Sequence, residues 1–445
     1  MQGQSLPAQV DEIRQVFAYV ERFKGGLFVI KIDYSIISHP LFSSLINDIA
    51  SLHRMGVRVA IVAGARQRID EILETEGIVT RRVRHVRISS PEAMPLIKMA
   101  AFDVATLIMT QLSAANCSAV IGNWVRARSM GVVDGVDYLN TGRVEKVNDK
   151  LIKEVLDEGL VPIFPCIGWS AVGEPYNLSS DELASLLGTS LAADKVFYVI
   201  DSAGIDISGY RLPPGFDRET GGRISRLRLD QARELLDYNS ERSDAVWHDV
   251  LSHALAACRG GVKRVHIVDG REEGVVLKEV FTNLGSGTMI YANEYESIRP
   301  MRHEDIPAVL RIMQPLIRTG ILVDRDYRSL EHSLGDYVVY EIDGIVHGCG
   351  SLCEQGDGIG EIAGIAVEEN FLQLGIGKRI VTYLMELGRE KKLKRLFLLT
   401  TRTSDWFMQL GFRQAGVEGL PERRRAQYDR SRNSRVLVYD IASRE

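Results

Sequence analysis

Short apolar strands alternate with amphipathic helices through most of the chain up to about residue 290, and this alternation constrains the fold most strongly. Strands joined by helices run parallel, because each crossover returns the chain to the same end of the sheet. The fold predicted for residues 24–293 is α/β, a doubly wound sheet with helices on both faces, an αβα sandwich. Its strands are predicted at 26–32, 57–62, 119–121, 161–164, 195–200 and 264–268.

The helices between these strands carry apolar residues three and four positions apart. They are predicted at 42–55, 66–75, 90–113, 149–158, 180–191 and 229–236. A further amphipathic helix is predicted within residues 1–23 and forms an N-terminal helical arm. Periodicity leaves two alternatives for this arm, packing on another subunit or on its own domain.

A different pattern begins near Glu294 and continues to the C-terminus. Helices at 303–317 and 326–333 lead into several strands, and Asp343-Gly344 is a strong hairpin signal between two of them. This pattern predicts an α+β domain over residues 294–445. Its strands are expected at 337–342, 345–353, 360–367, 395–400 and 436–441.

The composition fits a soluble globular protein of two domains. The chain has 445 residues, 45% hydrophobic and 25% charged, with a formal charge of −5. This length exceeds one ordinary core, and the acidic balance argues against a nucleic-acid partner. The N-terminus lacks a signal-peptide pattern, and no uninterrupted apolar stretch approaches a membrane span. We therefore predict a cytoplasmic protein without a membrane partner.

The cysteines and histidines do not predict a metal site. The five cysteines are scattered and never spaced Cys-x-x-Cys, and the nine histidines form no pair with ligand spacing. Most of the cysteines are expected to be small buried apolar residues. We expect no metal cofactor.

A glycine-containing loop, residues 373–378, lies between an apolar strand and a helix. A helix N-terminus presents unpaired backbone N–H groups and favours an anion, and glycines allow close approach of the backbone to phosphate oxygens. The loop therefore suits a pyrophosphate. A short Gly-x-Gly pattern by itself is more often an ordinary turn.

The spacing Gln-x-x-Gly-x-Gly after a strand resembles the acetyl-coenzyme A signature of the Gcn5-related N-acetyltransferases, the GNAT family. The resemblance implies acetyl-CoA as co-substrate, held by this loop and by the backbone of the preceding strand. The cofactor-binding residues that it implies are Ile365, Ala366, Val367, Gln373, Leu374, Gly375, Ile376, Gly377 and Lys378.

Acetyl transfer to an amine requires a base, because an α-amino group is largely protonated near neutral pH. Glu361 begins the strand that precedes the loop, in a segment that resembles the Glu-x-Ala-x-x-Ala-Val segment of the bacterial N-acetylglutamate synthases. We predict Glu361 as the base. Phe407 stands where many GNAT enzymes have a tyrosine acid, and Thr400, which aligns with a hydroxyl residue of the synthases, is the predicted acid.

Arginines in the second domain predict a dicarboxylate acceptor, because the guanidinium fork matches a carboxylate. The segments that carry them resemble the glutamate-binding segments of the synthases, which implies L-glutamate as substrate. A solvated basic face and a nucleic-acid site are alternative interpretations of the arginine-rich tail. The predicted substrate-binding residues are Val323, Arg325, Gly364, Arg424 and Arg432.

The first domain resembles the amino-acid kinase fold, in particular acetylglutamate kinases. Residues 61–66 and 176–181 match two of that family's loops, and Arg87 matches its carboxylate-binding arginine. The kinases carry Lys-x-Gly-Gly after the first strand, whereas here Lys31 is followed closely by Asp33-Tyr34. Bulk and negative charge replace the phosphate-binding glycines, so we expect no phosphoryl transfer, and we interpret Lys31 as a surface or strand-end lysine.

The end of this domain resembles the arginine pocket of the feedback-inhibited acetylglutamate kinases. The resemblance implies L-arginine as an effector, with the carboxylate of Glu279 facing the guanidinium and main-chain groups near Gly287 receiving the amino-acid end. A surface acid beside a glycine turn is the alternative interpretation. The implied residues are Tyr19, His266, Glu279, Phe281, Thr282 and Gly287.

Both halves together resemble the bacterial N-acetylglutamate synthases. The resemblance implies synthesis of N-acetyl-L-glutamate from acetyl-CoA and L-glutamate, the first step of arginine biosynthesis, with feedback inhibition by L-arginine. It also implies a homo-oligomer, with a hexamer plausible. A bifunctional synthase and kinase, a non-catalytic arginine sensor, and a protein or polyamine acetyltransferase remain as alternatives.

Overall fold

The computed structural model describes residues 23–83, 85–202, 205, 211–213, 216, 224–242, 246–281, 286–292, 296–342 and 344–441. The chain divides into two compact units, Met1–Asn293 and Glu294–Glu445. The predicted N-terminal arm, with Tyr19, lies outside the described residues except for Phe23. The α/β and α+β classes predicted for the two parts are confirmed by the strand orders below.

Strands and helices alternate in the first unit, as its sequence predicts. Its described strands are β1 Leu27–Asp33, β2 Arg58–Gly64, β3 Arg82–Val83, β4 Val86–Arg87, β5 Ala119–Ile121, β6 Val125–Ser129, β7 Val132–Val133, β8 Val136–Asp137, β9 Gly142–Val147, β10 Val161–Pro165, β11 Ile167–Trp169, β12 Pro175–Asn177, β13 Lys195–Ile200, β14 Arg226–Arg228, β15 Arg264–Asp269 and β16 Thr288–Tyr291. Its described helices are α1 Tyr34–Ile37, α2 Phe42–Arg54, α3 Arg66–Thr75, α4 Met94–Ala114, α5 Asp149–Asp157, α6 Ser180–Ser190, α7 Leu229–Tyr238, α8 Val246–Arg259 and α9 Val275–Phe281.

Within the described residues, eight strands form the central sheet of this unit, in the order β14-β16-β15-β13-β1-β2-β10-β5. The order reverses direction beside β1, as expected of a doubly wound sheet. Strands β13 and β15 are buried along their whole length, because helices cover both faces of the sheet. Strand β16 was not predicted, and it pairs antiparallel with β15 beside the edge strand β14.

A second sheet of the first unit was not predicted. Among the described residues it has four strands, in the order β12-β11-β6-β9. These strands are short, and β6 and β9 alternate buried with exposed residues only in part. Their pairing depends on partners distant in the chain, such as Trp169 with Arg126, so local periodicity does not reveal them.

Helix α4 is long and apolar enough, by length and composition alone, to cross a membrane. Lys98 and Asp103 interrupt its apolar residues, so the helix does not contradict the prediction that no uninterrupted apolar stretch approaches a membrane span. In the structure the helix packs against β2, β5 and β10, and its residues Ile97, Val104 and Ile108 are fully buried. Its apolar character is that of a core helix of the α/β unit.

The second unit is built on one mixed sheet. Its described strands are β17 Glu296–Pro300, β18 Tyr337–Ile342, β19 Ile345–Glu354, β20 Ile359–Val367, β21 Arg395–Thr400, β22 Arg413–Ala415 and β23 Arg435–Asp440. Its described helices are α10 Ile306–Arg318, α11 Tyr327–His332, α12 Ile376–Glu390, α13 Ser404–Gln409 and α14 Glu422–Ala426.

Seven described strands of this unit pair in the order β17-β18-β19-β20-β21-β23-β22. Neighbours are antiparallel except β20 and β21, which are parallel and joined by α12. A crossover helix is what a parallel pair requires. The end of β20, the middle strand of the seven, and the start of α12 therefore lie at the same end of the sheet.

Candidate active site

Strands β20 and β21 separate after a short paired stretch. Their register runs from Ile359 opposite Arg395 to Glu361 opposite Phe397, and no pairing between them is recorded for the rest of either described strand. The later part of β20 pairs only with β19. Backbone groups of Ile365 and Val367, on the side that faces β21, are therefore available to a ligand chain.

A bulge in β20 accompanies this separation. Ala363 pairs with Ser351 and Ala366 with Cys349, so β20 has one more residue than β19 between the two pairs. Gly364 is one of the two β20 residues between these pairs, and its φ of 63° lies in the left-handed region. Bulges redirect a strand and its side chains, and here the bulge lies beside the point where β20 leaves β21.

The predicted pyrophosphate loop ends a 3₁₀ turn, Glu369–Leu374, and begins α12 at Ile376. Gly375 has a φ of 68°, a conformation strained for other residues, and a Cβ there would meet no atom of the described structure within 4 Å. The first bond of the helix runs from the amide of Arg379 to the carbonyl oxygen of Gly375, at 3.2 Å. The three amides before Arg379 therefore point beyond the helix end.

The open surroundings of this loop fit a diphosphate. A Cβ on Gly377 would reach only ordinary van der Waals contact, 3.6 Å from the ring of Trp406. Lys378 is exposed and follows directly, adding positive charge to the helix dipole. Gln373 and Leu374 end the 3₁₀ turn, but their side chains are not among the described ones.

Glu361, the predicted base, lies on β20 at the last paired position and is 8% exposed. Its carboxylate accepts hydrogen bonds from Arg424, with Nε 2.9 Å from Oε2 and Nη2 3.1 Å from Oε1. The side chain of Gln355 adds a weaker bond at 3.3 Å. Arg424, a predicted substrate-binding residue, pairs here with Glu361, since a buried carboxylate needs a counter-charge; its contact with substrate stays a prediction.

Thr400, the predicted acid, ends β21 on the other side of the cleft and is 8% exposed. Its Oγ1 accepts a bond from the amide of Thr403 at 3.2 Å and shares a second with the Thr403 hydroxyl at 2.9 Å. The hydroxyl therefore already stabilises the turn after the strand. Either hydroxyl can be the donor in this second bond, and when Thr403 donates, the Thr400 proton is free for another acceptor.

Arg325 approaches the bulge from the segment before α11. Its guanidinium lies over the ring of Tyr337, 5.4 Å from the ring centroid. Burial lowers the pKa of Arg325 below its ordinary value, while nearby Glu361 raises it and Arg424 lowers it. Arg325, Glu361 and Arg424 thus share one region of the second unit. Tyr337 was not predicted.

The two other predicted substrate residues have different surroundings. Val323 is 56% exposed. Arg432 donates from Nη2 to the carbonyl oxygens of Gly320 and Ile321, at 3.0 Å and 3.1 Å. These bonds attach Arg432 to the segment that carries Val323 and Arg325. The guanidinium of Arg432 holds this segment, and its contact with a substrate carboxylate stays a prediction.

In the first unit, the predicted effector residues His266, Glu279 and Gly287 lie together. His266 Nδ1 is 2.8 Å from Oε2 of Glu279, and the amide of Gly287 donates to Oε1 at 2.7 Å. The Glu279 carboxylate is thus already satisfied, rather than open to a guanidinium as expected. Phe281 ends α9 and is partly exposed, while Thr282 lies outside the described residues.

Lys195 belongs to the same cluster and was missed. Its Nζ lies 3.4 Å from Nε2 of His266, and the side chain is almost fully buried. Burial, reinforced by the positive charge of Lys195, lowers the pKa of His266. Burial would raise the pKa of Glu279, but the hydrogen bond from His266 lowers it overall. Lys195 is the first residue of β13, whose other residues are apolar or aromatic, so its sequence context did not indicate a functional role.

Lys31 is not the surface residue that its sequence context suggested. It is 2% exposed, and its Nζ lies 2.6 Å from Asp33 and 2.8 Å from Asp181. Burial would lower the pKa of Lys31, but the two carboxylates raise it above its ordinary value. The Asp33 carboxylate also lies against Gly64, 2.7 Å from where a Cβ of that glycine would stand. A buried lysine is stable here because both of its neighbours are acids.

Arg87 is also engaged within the first unit. It is 6% exposed, and it donates hydrogen bonds to the carboxylate of Asp70 at 2.5 Å and to the hydroxyl of Thr80 at 2.7 Å.

Across the described part of the chain, no group of three or more histidine, cysteine, aspartate or glutamate side chains is placed to hold a metal ion.

Comparison with known proteins matches both units. The profile of the Amino acid kinase family matches residues 26–269, and that of the Acetyltransferase (GNAT) family matches residues 307–412. An amino-acid acetyltransferase of Aeromonas salmonicida is 35% identical, over 98% of this chain and 99% of the relative.

Two solved structures of N-acetylglutamate synthase from Neisseria gonorrhoeae are similar over 99% of this chain and all of theirs. One, complexed with coenzyme A and L-arginine, has a TM-score of 0.83 at 28% identity. The other, complexed with coenzyme A and N-acetyl-glutamate, has a TM-score of 0.61 at 30% identity.

Proposed function

The chain belongs to the amino-acid acetyltransferase family of N-acetylglutamate synthases, and on this premise we propose that it transfers the acetyl group of acetyl-CoA to the α-amino group of L-glutamate. The observation that carries the proposal is the cleft between β20 and β21. It has the buried carboxylate of Glu361 at its closed end and the helix N-terminus at Gly375 following its open end. The complex of the gonococcal synthase with coenzyme A and N-acetyl-glutamate supports the choice of product.

Acetyl-CoA is the co-substrate, and it supplies a thioester whose acyl carbon is open to an amine. The backbone of Ile365, Ala366 and Val367 would hold its pantetheine chain, since β21 does not pair with this part of β20. The amides at the start of α12, with Lys378, would hold its pyrophosphate. The residues present therefore fit this co-substrate.

Glu361 accepts the proton of the ammonium group, directly or through one water, so that the neutral amine can attack. For this role Arg424 must share or release the carboxylate that it holds. Arg424 would then be able to pair with a carboxylate of the acceptor, as the sequence suggests. Thr400, at the end of β21, donates a hydrogen bond to the departing thiolate.

The first unit serves as the regulatory unit in this proposal, and L-arginine bound there inhibits synthesis. Lys195, His266 and Glu279 form a buried polar cluster where the resemblance implies the effector site, and Glu279 must release His266 or Gly287 to pair with a guanidinium. The gonococcal complex with L-arginine supports the choice of effector. To serve as an effector, arginine must favour one arrangement of the enzyme over another. The proposal extends to a cytoplasmic homo-oligomer, a hexamer, that catalyses the first step of arginine biosynthesis.

The experiment that tests the proposal measures free coenzyme A released from acetyl-CoA with L-glutamate, L-aspartate or L-glutamine as acceptor. Each assay is run with and without L-arginine. Turnover confined to L-glutamate and reduced by arginine is the expected result. Turnover with none of the three acceptors would overturn the proposed reaction, and turnover indifferent to arginine would overturn the proposed regulation.

A bifunctional synthase and kinase is the second candidate, favoured by the buried pair of Lys31 and Asp181. Against it, the carboxylate of Asp33 stands beside Gly64 and holds the Lys31 ammonium that a phosphate would need. Titration with ATP and Mg²⁺ separates the two, because a kinase must bind the nucleotide. Coenzyme A titration likewise separates the synthase from a non-catalytic arginine sensor.

A further inference from the structure

The hydroxyl of Tyr337 is buried without a hydrogen-bond partner among the described residues. Tyr337 is 1% exposed and begins β18, which β19 separates from β20, the strand that carries Glu361. A buried hydroxyl that makes no hydrogen bond costs about 1–3 kcal/mol. Such a group calls for an explanation, and no packing requirement supplies one, because phenylalanine would fill the same space without the cost.

The guanidinium of Arg325 reaches the same place. Tyr337 Oη and Arg325 Nη1 lie 2.7 Å and 2.8 Å from the point where a Cβ of Gly364 would stand. Within the described part of the chain, Arg325 makes no hydrogen bond or ion pair, and its contact is with the face of the Tyr337 ring. Two unsatisfied donors therefore converge where Gly364 has no side chain.

An anion with oxygen acceptors is the chemistry that satisfies both donors. The guanidinium offers charge and a planar pair of N–H groups, and the phenol offers one further O–H donor. Gly364 lies three residues after Glu361 on the same strand, β20, and the charges of Glu361 and Arg424 act on the pKa of Arg325. A carboxylate bound here would belong to the molecule whose amine Glu361 deprotonates.

We propose that Tyr337 is a specificity-determining residue whose hydroxyl, together with Arg325, binds a carboxylate of the acceptor amino acid over Gly364. This inference rests on the proposed function and deepens it. Gly364 contributes by its missing side chain, since a Cβ there would press on both donors. The face of the Tyr337 ring also holds the guanidinium of Arg325 by a cation–π contact.

The decisive variant is Tyr337→Phe, which removes the hydroxyl and keeps the ring. The KM for L-glutamate is expected to rise about tenfold or more, because a hydrogen bond to a charged group is lost. The KM for acetyl-CoA should stay within about twofold, and the melting temperature without ligand should be equal or higher, because an unsatisfied hydroxyl has been removed. A purely structural role of the hydroxyl would not raise the KM for L-glutamate while the KM for acetyl-CoA and the melting temperature are maintained.

Tyr439→Phe is the matched control. Its hydroxyl accepts a hydrogen bond from Arg389 at 3.0 Å, at the C-terminal end of α12, and it should leave both KM values unchanged. Arg325→Lys, alone and combined with Tyr337→Phe, tests whether the two residues act on one carboxylate. If they do, the double variant loses less than the product of the two single losses.

The outcomes separate this inference from the proposed function. Absence of L-glutamate turnover in the unchanged enzyme would overturn the proposed function and this inference with it. Normal turnover, combined with an unchanged KM for L-glutamate in Tyr337→Phe, would overturn the role of Tyr337 alone. A KM that rises equally for both substrates would also overturn it.

Discussion

Arg424 holds Glu361 through two parallel contacts, Nε to Oε2 at 2.9 Å and Nη2 to Oε1 at 3.1 Å. The residues are 63 positions apart in the chain, and the pair is only partly accessible, with side chains 21% and 10% exposed. The proposed base of the second unit is therefore tied to a residue that was expected to bind substrate. Substrate entry and activation of the base are coupled if one guanidinium serves both.

Glu361→Gln should lower kcat about 100-fold or more near neutral pH, because glutamine cannot accept the ammonium proton. The loss should shrink well above the pKa of the α-amino group, where the amine is already neutral. The measurement is kcat against pH, with Glu354→Gln as a control, since Glu354 pairs with Lys391 in another part of the unit. An equal rate for variant and parent at neutral and high pH would exclude Glu361 as the base.

Arg424→Met should destabilise the second unit by about 2–4 kcal/mol, because it leaves the buried Glu361 carboxylate without its main partner. Combining Arg424→Met with Glu361→Gln should recover part of that loss, since a neutral amide needs no counter-charge. Urea unfolding of the four members of this cycle gives the coupling free energy, expected at about 1–3 kcal/mol. Strictly additive effects would argue that the contact contributes nothing to stability.

Gly375→Ala should raise the KM for acetyl-CoA about tenfold, because alanine at a φ of 68° carries about 1–2 kcal/mol of strain and favours another loop conformation. The effect is conformational, since no described atom lies within 4 Å of the new Cβ. Gly356→Ala is the matched control, with a φ of 86° and equally open space in the turn before β20. A similar KM in both variants would remove the loop from the proposed cofactor site.

The first unit should lose stability as the pH falls from about 7. Burial, with Lys195, gives His266 a pKa below its ordinary 6.5, and its hydrogen bond gives Glu279 a pKa below its ordinary 4.5. Both groups bind protons more readily in the unfolded chain, so their contributions are complete above the ordinary values and disappear on acidification. The free energy of unfolding should begin to fall near pH 6.5, by up to about 1.4 kcal/mol per pH unit for each proton that the unfolded chain binds in excess.

The urea midpoint of the full chain against pH measures this loss, followed by tryptophan fluorescence, since three of the four tryptophans lie before residue 294. His266→Asn keeps an N–H donor near Glu279 and should flatten the upper part of the curve. His39→Asn, a half-exposed loop position of the same unit, should not. If the urea midpoint of His266→Asn still falls with pH as it does in the parent, groups other than His266 cause the pH dependence.

Much of the fold is predictable from local pattern. The helix predicted at 42–55 is Phe42–Arg54, and the strand predicted at 195–200 is Lys195–Ile200. The short strands of the second sheet in the first unit were missed, because β6 and β9 alternate buried and exposed residues only in part and their pairing depends on distant partners. The glycine loop was predicted because its requirement, a positive φ before a helix N-terminus, is local.

The sequence alone determined the two fold classes, the position of the glycine loop and the residue types available for acetyl transfer, because periodicity and loop chemistry are properties of neighbouring residues. Tertiary structure decided which of these residues meet. It paired Arg424 with Glu361, buried Lys31 between two acids, and left the hydroxyl of Tyr337 beside Arg325. Burial and charge pairing depend on contacts between distant segments, so only the folded chain defines them.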